Sequence, residues 1–383
     1  MNDLLEIVAR SSGSATLPSL GNILFVTQTG STTQNRADGI GRIDKPFELQ
    51  RAFDVAQPND IIIIYKAIPL TNYSVSVNQL HIFMYCDSIT INFNNTSAHQ
   101  IYCYNIKNSL IFIENIVNTR FNVFTKIILN LTNCNSLNVF SEQECNIEVF
   151  SNLNNCTFKS NIKGNFRVYE DSISFSNLNI DNFRIIGTVL ENFTFTNCTF
   201  NKCIFSPLFI NTNNITNCFF YDSRINLRLV PSSSSSLNFE NNKFVRCLID
   251  FTNLSSSSFG LNGNSTTNKF IDCVLFRSNN RSVRIENTTW ILKDCTIHNP
   301  NPLTTLPNLG FFNVTGTCNL YLIDCKYELP ISSPYAISNN YTGELQLINC
   351  QLPTNITGGK TPTVTSNVFI GTLPNINDVL DNI

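Results

Sequence analysis

The sequence is poor in charge. Only 14% of its 383 residues are Asp, Glu, Lys or Arg, against roughly 25% in ordinary globular domains. The 25 basic and 27 acidic residues leave a net charge of −2 with no long run of one sign. That excludes the basic stripe a nucleic-acid-binding surface needs. Glycine is scarce, at 15, and no phosphate-cradling glycine loop, nucleophile elbow or HExxH motif occurs. There is no C-x-x-C pair, and His81, His99 and His298 are scattered, so neither a zinc site nor any other metal or cofactor site is expected. No run of eighteen apolar residues exists, so no membrane-spanning helix is expected. Met1 to Arg10 carries Asp3 and Glu6 among its leucines, unlike the apolar core of a secretory signal. The expectation is therefore a chain made without a signal peptide, whose fourteen cysteines stay free and buried.

What fills the space is asparagine, about one residue in seven, together with 30 phenylalanines. Asn tolerates left-handed backbone angles at turns, and Phe, Ile and Thr suit strands. A repeat emerges at the cysteines. Asn or Asp precedes Cys at Asn133-Cys134, Asn155-Cys156, Asn197-Cys198, Asn217-Cys218, Asp272-Cys273, Asp294-Cys295, Asp324-Cys325 and Asn349-Cys350. Asn177-Leu178 and Arg246-Cys247 fill the same slot. Successive slots lie 22, 22, 20, 20, 29, 26, 22, 30 and 25 residues apart, the length of one rung of a parallel β-helix. Three residues before each Cys stands an apolar residue such as Phe195 or Phe270, and two after it another, such as Phe200 or Leu275. Inward residues of a strand share parity, and here parity flips just before the Cys. The chain must bend there, with Asn or Asp at the bend and Cys stacking inward as a small hydrophobe. Ser232 to Ser236 and Ser255 to Ser258 fall where the spacing stretches and read as loops leaving a corner. The Asp272, Asp294 and Asp324 column reads as a turn ladder, with cation binding the alternative.

Four segments follow. Residues 1–20 are an anchor or docking peptide, with Leu4, Leu5 and Val8 on one face of a short helix and a Ser11-Ser12-Gly13-Ser14 linker after it. Residues 21–66 cap the solenoid: a strand at Asn22 to Val26, a polar loop from Gly30 to Gly41, a helix over Pro46 to Ala56 and a buried strand at Ile61 to Tyr65. Residues 67–352 are the repeat, and 353–383 a C-terminal cap or extension. The motif Asp38-Gly39, Asp44, Lys45-Pro46-Phe47 and Pro58-Asn59-Asp60 resembles the N-terminal cap of the pectin-lyase-like superfamily, with Asn59 in place of its usual turn glycine. That resemblance covers about forty residues. It implies an all-β, right-handed parallel β-helix of about ten rungs with a short N-terminal capping helix.

No catalytic motif accompanies the repeat, so the expectation is a non-enzyme. The carboxylates grouped closely enough to suggest glycan cleavage are Glu142, Glu144 and Glu148, and Glu170, Asp171 and Asp181 with Arg167 and Arg184. General features resemble the β-helical fibre, spike and decoration proteins of phages and large viruses. They imply a virion protein that binds other virion proteins through residues 1–20, with a homotrimer and a host surface glycan as further partners. The alternatives are a polysaccharide-binding or -cleaving β-helix and a cell-surface adhesin.

Overall fold

The structure is a computed structural model. It describes residues 22–350 except 35, 39, 69–70, 87–88, 105–109, 125–126, 170–171, 188–189, 207, 211, 230–235, 252–259, 264, 278–282, 299–311, 329–336 and 342–344. The expected segments 1–20 and 353–383, Ser232 to Ser235 and Ser255 to Ser258 therefore lie outside the described residues. The chain divides into two compact units, residues 1–129 with 137–140, and residues 130–136 with 141–383. Each is a parallel β-solenoid, as the repeat required.

In unit 1, strands Ile23–Ser31, Ile61–Ile64, His81–Met84, Gln100–Cys103 and Arg120–Val123 stack in parallel, rung on rung. Asn72–Val75, Thr90–Asn94 and Leu110–Glu114 form a second ladder. Leu24, Val26, Ile62, Ile64, Ile82, Met84, Ile101, Cys103, Phe121 and Val123 alternate inward and are buried. The capping helix is shorter than expected, Leu49–Val55. Pro46 lies outside it because Phe47 is still extended, bridged in parallel to Val26 and Ser31. The helix starts only where the Glu48 side chain accepts hydrogen bonds from the Gln50 and Arg51 N–H groups. Leu49, Ala52 and Phe53 form its buried face. Asn59 takes the left-handed turn (φ 71°) in the place of a glycine. Behind it, buried Asp60 accepts from the Arg36 guanidinium at 2.7 Å and from the Asn22 and Gln57 N–H groups at 2.9 and 2.8 Å.

In unit 2 every asparagine, aspartate or arginine of the sequence repeat has positive φ: Asn133, Asn155, Asn177, Asn197, Asn217, Arg246, Asp272, Asp294, Asp324 and Asn349 lie between 49° and 55°. The single column expected from sequence is, however, three. Strand register places Asn155, Asn177, Asn197 and Asn217 on one corner, which continues to Asn241. Arg246, Asp272, Asp294, Asp324 and Asn349 share a second corner with Asn182, Lys202 and Asp222. Asn133 precedes Cys134–Asn135 at a third corner, where Ser172 and Asn192 also have positive φ. The 29-residue step from Cys218 to Cys247 is thus one rung plus a change of corner: Asn217 to Asn241 is 24 residues, and Asn241 to Arg246 five more. Both corners demand the same local sequence, apolar–polar–left-handed–small–polar–apolar, so spacing alone merges them.

The small residue behind each corner does more than fill space. The bend leaves a carbonyl of the preceding strand facing the interior, and the side chain donates to it. Cys198 Sγ donates to Thr196 O at 3.3 Å, Cys247 to Val245 O at 3.3 Å and Cys295 to Lys293 O at 3.2 Å. Ser223 does the same with its hydroxyl, to Tyr221 O at 2.6 Å. Asn242 and Asn268 serve further along with their amides, to Ile215 O and Phe239 O at 2.8 and 2.7 Å. The cysteines are weak, apolar-tolerant donors in a slot that needs one donor. All fourteen are free and buried, and burial pushes the Cys145 and Cys203 thiols up to about 12. Inside, Phe200, Phe220, Phe244 and Phe270 stack with centroids 4.7, 4.8 and 4.9 Å apart.

Candidate functional site: an outward aromatic face

On a solenoid side, alternate residues point to solvent and are ordinarily polar. Unit 1 breaks this rule on the side that begins after Asn59. The outward column Phe25, Ile63, Phe83, Tyr102 runs through successive rungs in register and reaches a polar residue only at Asn122. The neighbouring outward column begins Ile23, Ile61 and turns polar at His81, Gln100 and Arg120. Just past the strand ends, Tyr65, Tyr85, Tyr104 and Phe124 make a third column, each N–H bonded to the rung before. Ile61, Ile63, Phe83 and Tyr102 form a buried apolar cluster, 2, 4, 2 and 8% exposed, with half-buried Phe25, Tyr65, Tyr85, Tyr104 and Phe124 packed against it.

The rings are stacked along the ladder. Centroids are 6.4 Å apart for Phe25 and Tyr65, 5.7 Å for Tyr65 and Tyr85, 5.1 Å for Tyr85 and Tyr104, and 4.7 Å for Tyr104 and Phe124. The last two pairs lie within 5° and 2° of parallel. Each ring face is therefore sealed by its neighbours, and the ladder turns ring edges outward. A sugar ring stacks on an exposed aromatic face, and the interior rings of this ladder offer none. The Tyr85 hydroxyl is buried without a hydrogen-bond partner. Burial, and then the neighbouring Tyr65, raises its pKa. In unit 2, Thr157, Lys159, Asn179, Asp181, Thr199 and Asn201 point outward on three successive rungs, and Phe219 and Tyr221 take the same positions on the next.

Among the described residues, the carboxylates singled out from the sequence take separate places. Glu148 stands opposite Arg167 in the strand ladder and accepts from the Tyr169 hydroxyl at 3.2 Å. Asp181 stands opposite Lys159 and accepts from the Asn201 amide at 3.0 Å. The corner at Asn182 separates the side of Asp181 from that of Arg184 and Arg167. Glu142 is exposed in the turn before Cys145, and Glu144 is half-buried. Glu170 and Asp171 lie outside the described residues. Asp272, Asp294 and Asp324 do stack on successive rungs as the exposed turn ladder expected. One corner residue before them, Arg246 clamps Asp222 through two hydrogen bonds of 2.6 and 3.1 Å and holds that carboxyl below its usual range. Among the described residues, no group of three or more His, Cys, Asp or Glu is placed to hold a metal ion. No described helix is long and apolar enough to cross a membrane.

The aromatic face escaped the sequence reading, although a signal was present. Tyr65, Tyr85, Tyr104 and Phe124 recur every 20, 19 and 20 residues, one rung apart, in a region without the Asn-Cys marker.

No family model matches the chain, and no curated protein matches it. Among solved structures it is similar to the receptor-binding domain of the siphovirus 9NA tailspike, at 10% identity over 89% of this chain and 80% of that one, TM-score 0.27. It is similar also to polygalacturonase from Erwinia carotovora ssp. carotovora, at 10% identity over 86% and 99%, TM-score 0.22. A third is PfbA, a surface adhesin of Streptococcus pneumoniae, at 10% identity over 86% and 90%, TM-score 0.24. These are right-handed β-helix proteins of the pectate lyase and polygalacturonase type. The β-solenoid itself is established by the strand register of this chain, and no residue role is transferred from them.

Proposed function

We propose that the chain is a structural β-helix of a virion, a fibre, spike or decoration component, and that it attaches through its N-terminal unit. The observation that carries the reading is the half-buried stacked ladder of Tyr65, Tyr85, Tyr104 and Phe124 on unit 1, packed over the buried cluster of Ile61, Ile63, Phe83 and Tyr102. A run of half-buried stacked aromatic rings along one side of a solenoid suits contact with another protein. Residues 1–20 precede the first strand, Ile23–Ser31, in sequence, and the reading assigns attachment to the two together. The other virion proteins are the partners, the virion is the location, and a homotrimer and contact with a host surface glycan belong to the same proposal.

A catalytic reading needs two carboxylates, or a carboxylate with a metal, facing one substrate. The register instead gives Glu148 and Asp181 a cation opposite each, which supports a non-enzyme. A glycan-binding reading has one observation in its favour: the outward pair Phe150 and Tyr169, stacked at 5.2 Å beside Glu148. Immunogold electron microscopy of purified virions from the source, with antibody against unit 2, tests the proposal. Regular labelling of the particle is expected. Protein confined to the soluble fraction, or release of sugar fragments from a glycan screen, overturns it.

A further inference from the structure

The outer side of unit 2 that carries Thr199 and Asn201 changes character at the next rung. Phe219 and Tyr221 stand on one strand and both point outward. Their ring planes lie within 6° of parallel, with centroids 6.5 Å apart. Phe219 is 41% exposed and Tyr221 is half-buried. The outward residues of the adjoining rungs are Thr199 and Asn201 before the pair, and Lys243 and Val245 after it. None of these is aromatic, so no ring on an adjoining rung seals the pair, in contrast to the ladder of unit 1. An aromatic face open to solvent is the surface on which the C–H face of a sugar ring stacks.

The charge on this side points to the rest of the ligand. From Thr199 and Asn201 onward its two outward columns hold Lys243, Lys269 and Lys293 and, among the described residues, no carboxylate. Glu240 lies across the corner at Asn241, on the neighbouring side. Asp222, Asp272, Asp294 and Asp324 form the opposite corner, where Arg246 clamps Asp222. Lys243 and Lys269 belong to the column farther from those aspartates, the one that holds Phe219. They follow Phe219 by one and two rungs, about 5 and 10 Å along the solenoid, and both are half-buried. Burial, and then the neighbouring Lys243, holds the Lys269 ammonium below its usual range. An anion between two such ammonium groups relieves their repulsion and accepts a charge-assisted hydrogen bond from each. A sugar laid on Phe219 extends its substituents toward the next rung, where Lys243 stands.

We infer that this side of unit 2 binds an acidic saccharide, with a sugar ring on the face of Phe219 beside Tyr221 and a carboxylate or sulfate between Lys243 and Lys269. The inference rests on the proposed contact with a host surface glycan and gives that contact a site and a chemical class. It calls for binding alone, without bond cleavage. A single-stranded nucleic acid offers rings and anions too, but it needs a cationic groove along its backbone, and the aspartate corner borders this side.

The test uses the purified full chain and no particle. Loss of sugar binding therefore leaves virion attachment standing, and absence from the virion leaves the sugar site standing. An array of oligosaccharides carrying carboxylate or sulfate groups is probed beside their carboxyl-reduced or desulfated counterparts and a single-stranded oligonucleotide. Affinity for the best acidic member is then measured by titration calorimetry for the parent, for Phe219→Ala, for the double variant Lys243→Gln with Lys269→Gln, and for Lys326→Gln. Lys326 is the control, an exposed lysine beyond the corner at Asp324. Circular dichroism and Trp290 fluorescence verify that each variant keeps its solenoid. Expected are at least a tenfold preference for acidic members over their neutral counterparts, and at least a tenfold loss of affinity in Phe219→Ala and in the double variant, with Lys326→Gln at the parental value. Failure to bind any acidic member overturns the inference, as does equal binding of the neutral counterparts or an unchanged affinity in Phe219→Ala. A loss in Lys326→Gln as large as in the double variant also overturns it, and tighter binding of the oligonucleotide gives the side to nucleic acid instead.

Discussion

Replacing Asn197 isolates the element on which the solenoid turns. Its φ is 55°, where an L-residue with a Cβ is penalised by about 1–2 kcal/mol and a β-branched one by more. Asn offsets part of that penalty through its short polar side chain, which here donates to the Asn177 amide oxygen at 3.4 Å on the exposed side of the corner. Asn197→Gly loses that long bond but relieves the backbone, so stability should stay within about 0.5 kcal/mol of the parent. Asn197→Val loses the bond and places a branched side chain in the left-handed region, an expected loss of about 2 kcal/mol. Asn201→Val is the control. Asn201 lies in strand Thr199–Asn201, so valine gains strand preference while losing the 3.0 Å bond to Asp181, a net change of about 1 kcal/mol or less. Urea unfolding of unit 2 is read from the single tryptophan, Trp290, fully buried among Phe239, Phe251, Phe270 and Phe312. Equal losses for glycine and valine at position 197, or a larger loss at 201 than at 197, would refute the corner assignment.

Three further outcomes are expected. His99 is fully buried and neutral, its pKa pushed down to about 4 chiefly by burial and secondarily by His81. The unfolded chain takes up the proton first, so unit 1 should lose about 3 kcal/mol as pH falls from 6.5 to 4, and His99→Gln should flatten that part of a pH–stability curve. Gly30→Ala should unseat the cap, because a Cβ there meets the Phe47 carbonyl carbon and oxygen at 2.1 Å. A thermal scan should show a destabilisation of about 2–3 kcal/mol, and an unchanged midpoint would contradict the close crossing. Cys247→Ser should cost no more than about 1 kcal/mol by urea titration, since Ser223 fills the same slot one rung earlier. A collapse of the fold would show that the slot needs a hydrophobe instead of a donor.

The fold was legible because its periodicity is written in residue types that few other structures need. Asn59 in a glycine's place, the left-handed Asn and Asp corners and the parity flip before each Cys all follow from backbone sterics that act locally. What spacing could not separate was one corner from the next. Asn197-Cys198 and Lys202-Cys203 obey the same steric rule five residues apart, and only strand register tells them apart. The helix boundary shifted for a non-local reason, the bridge from Phe47 to Val26 and Ser31. Spacing did not show that register puts Arg167 and Lys159 opposite Glu148 and Asp181. The aromatic face was hidden because outward and inward positions look alike in an all-apolar run such as Ile61 to Ile64, where all four residues are buried.

The most direct test of the proposed role, attachment to a virion through unit 1, is the protein's copy number in purified virions by quantitative mass spectrometry. The full-length parent, Tyr104→Asp, and Glu148→Gln are compared, each checked for its solenoid by circular dichroism. The account predicts parental incorporation for Glu148→Gln and at least a tenfold loss for Tyr104→Asp. Parental incorporation of Tyr104→Asp, or loss confined to Glu148→Gln, would contradict it.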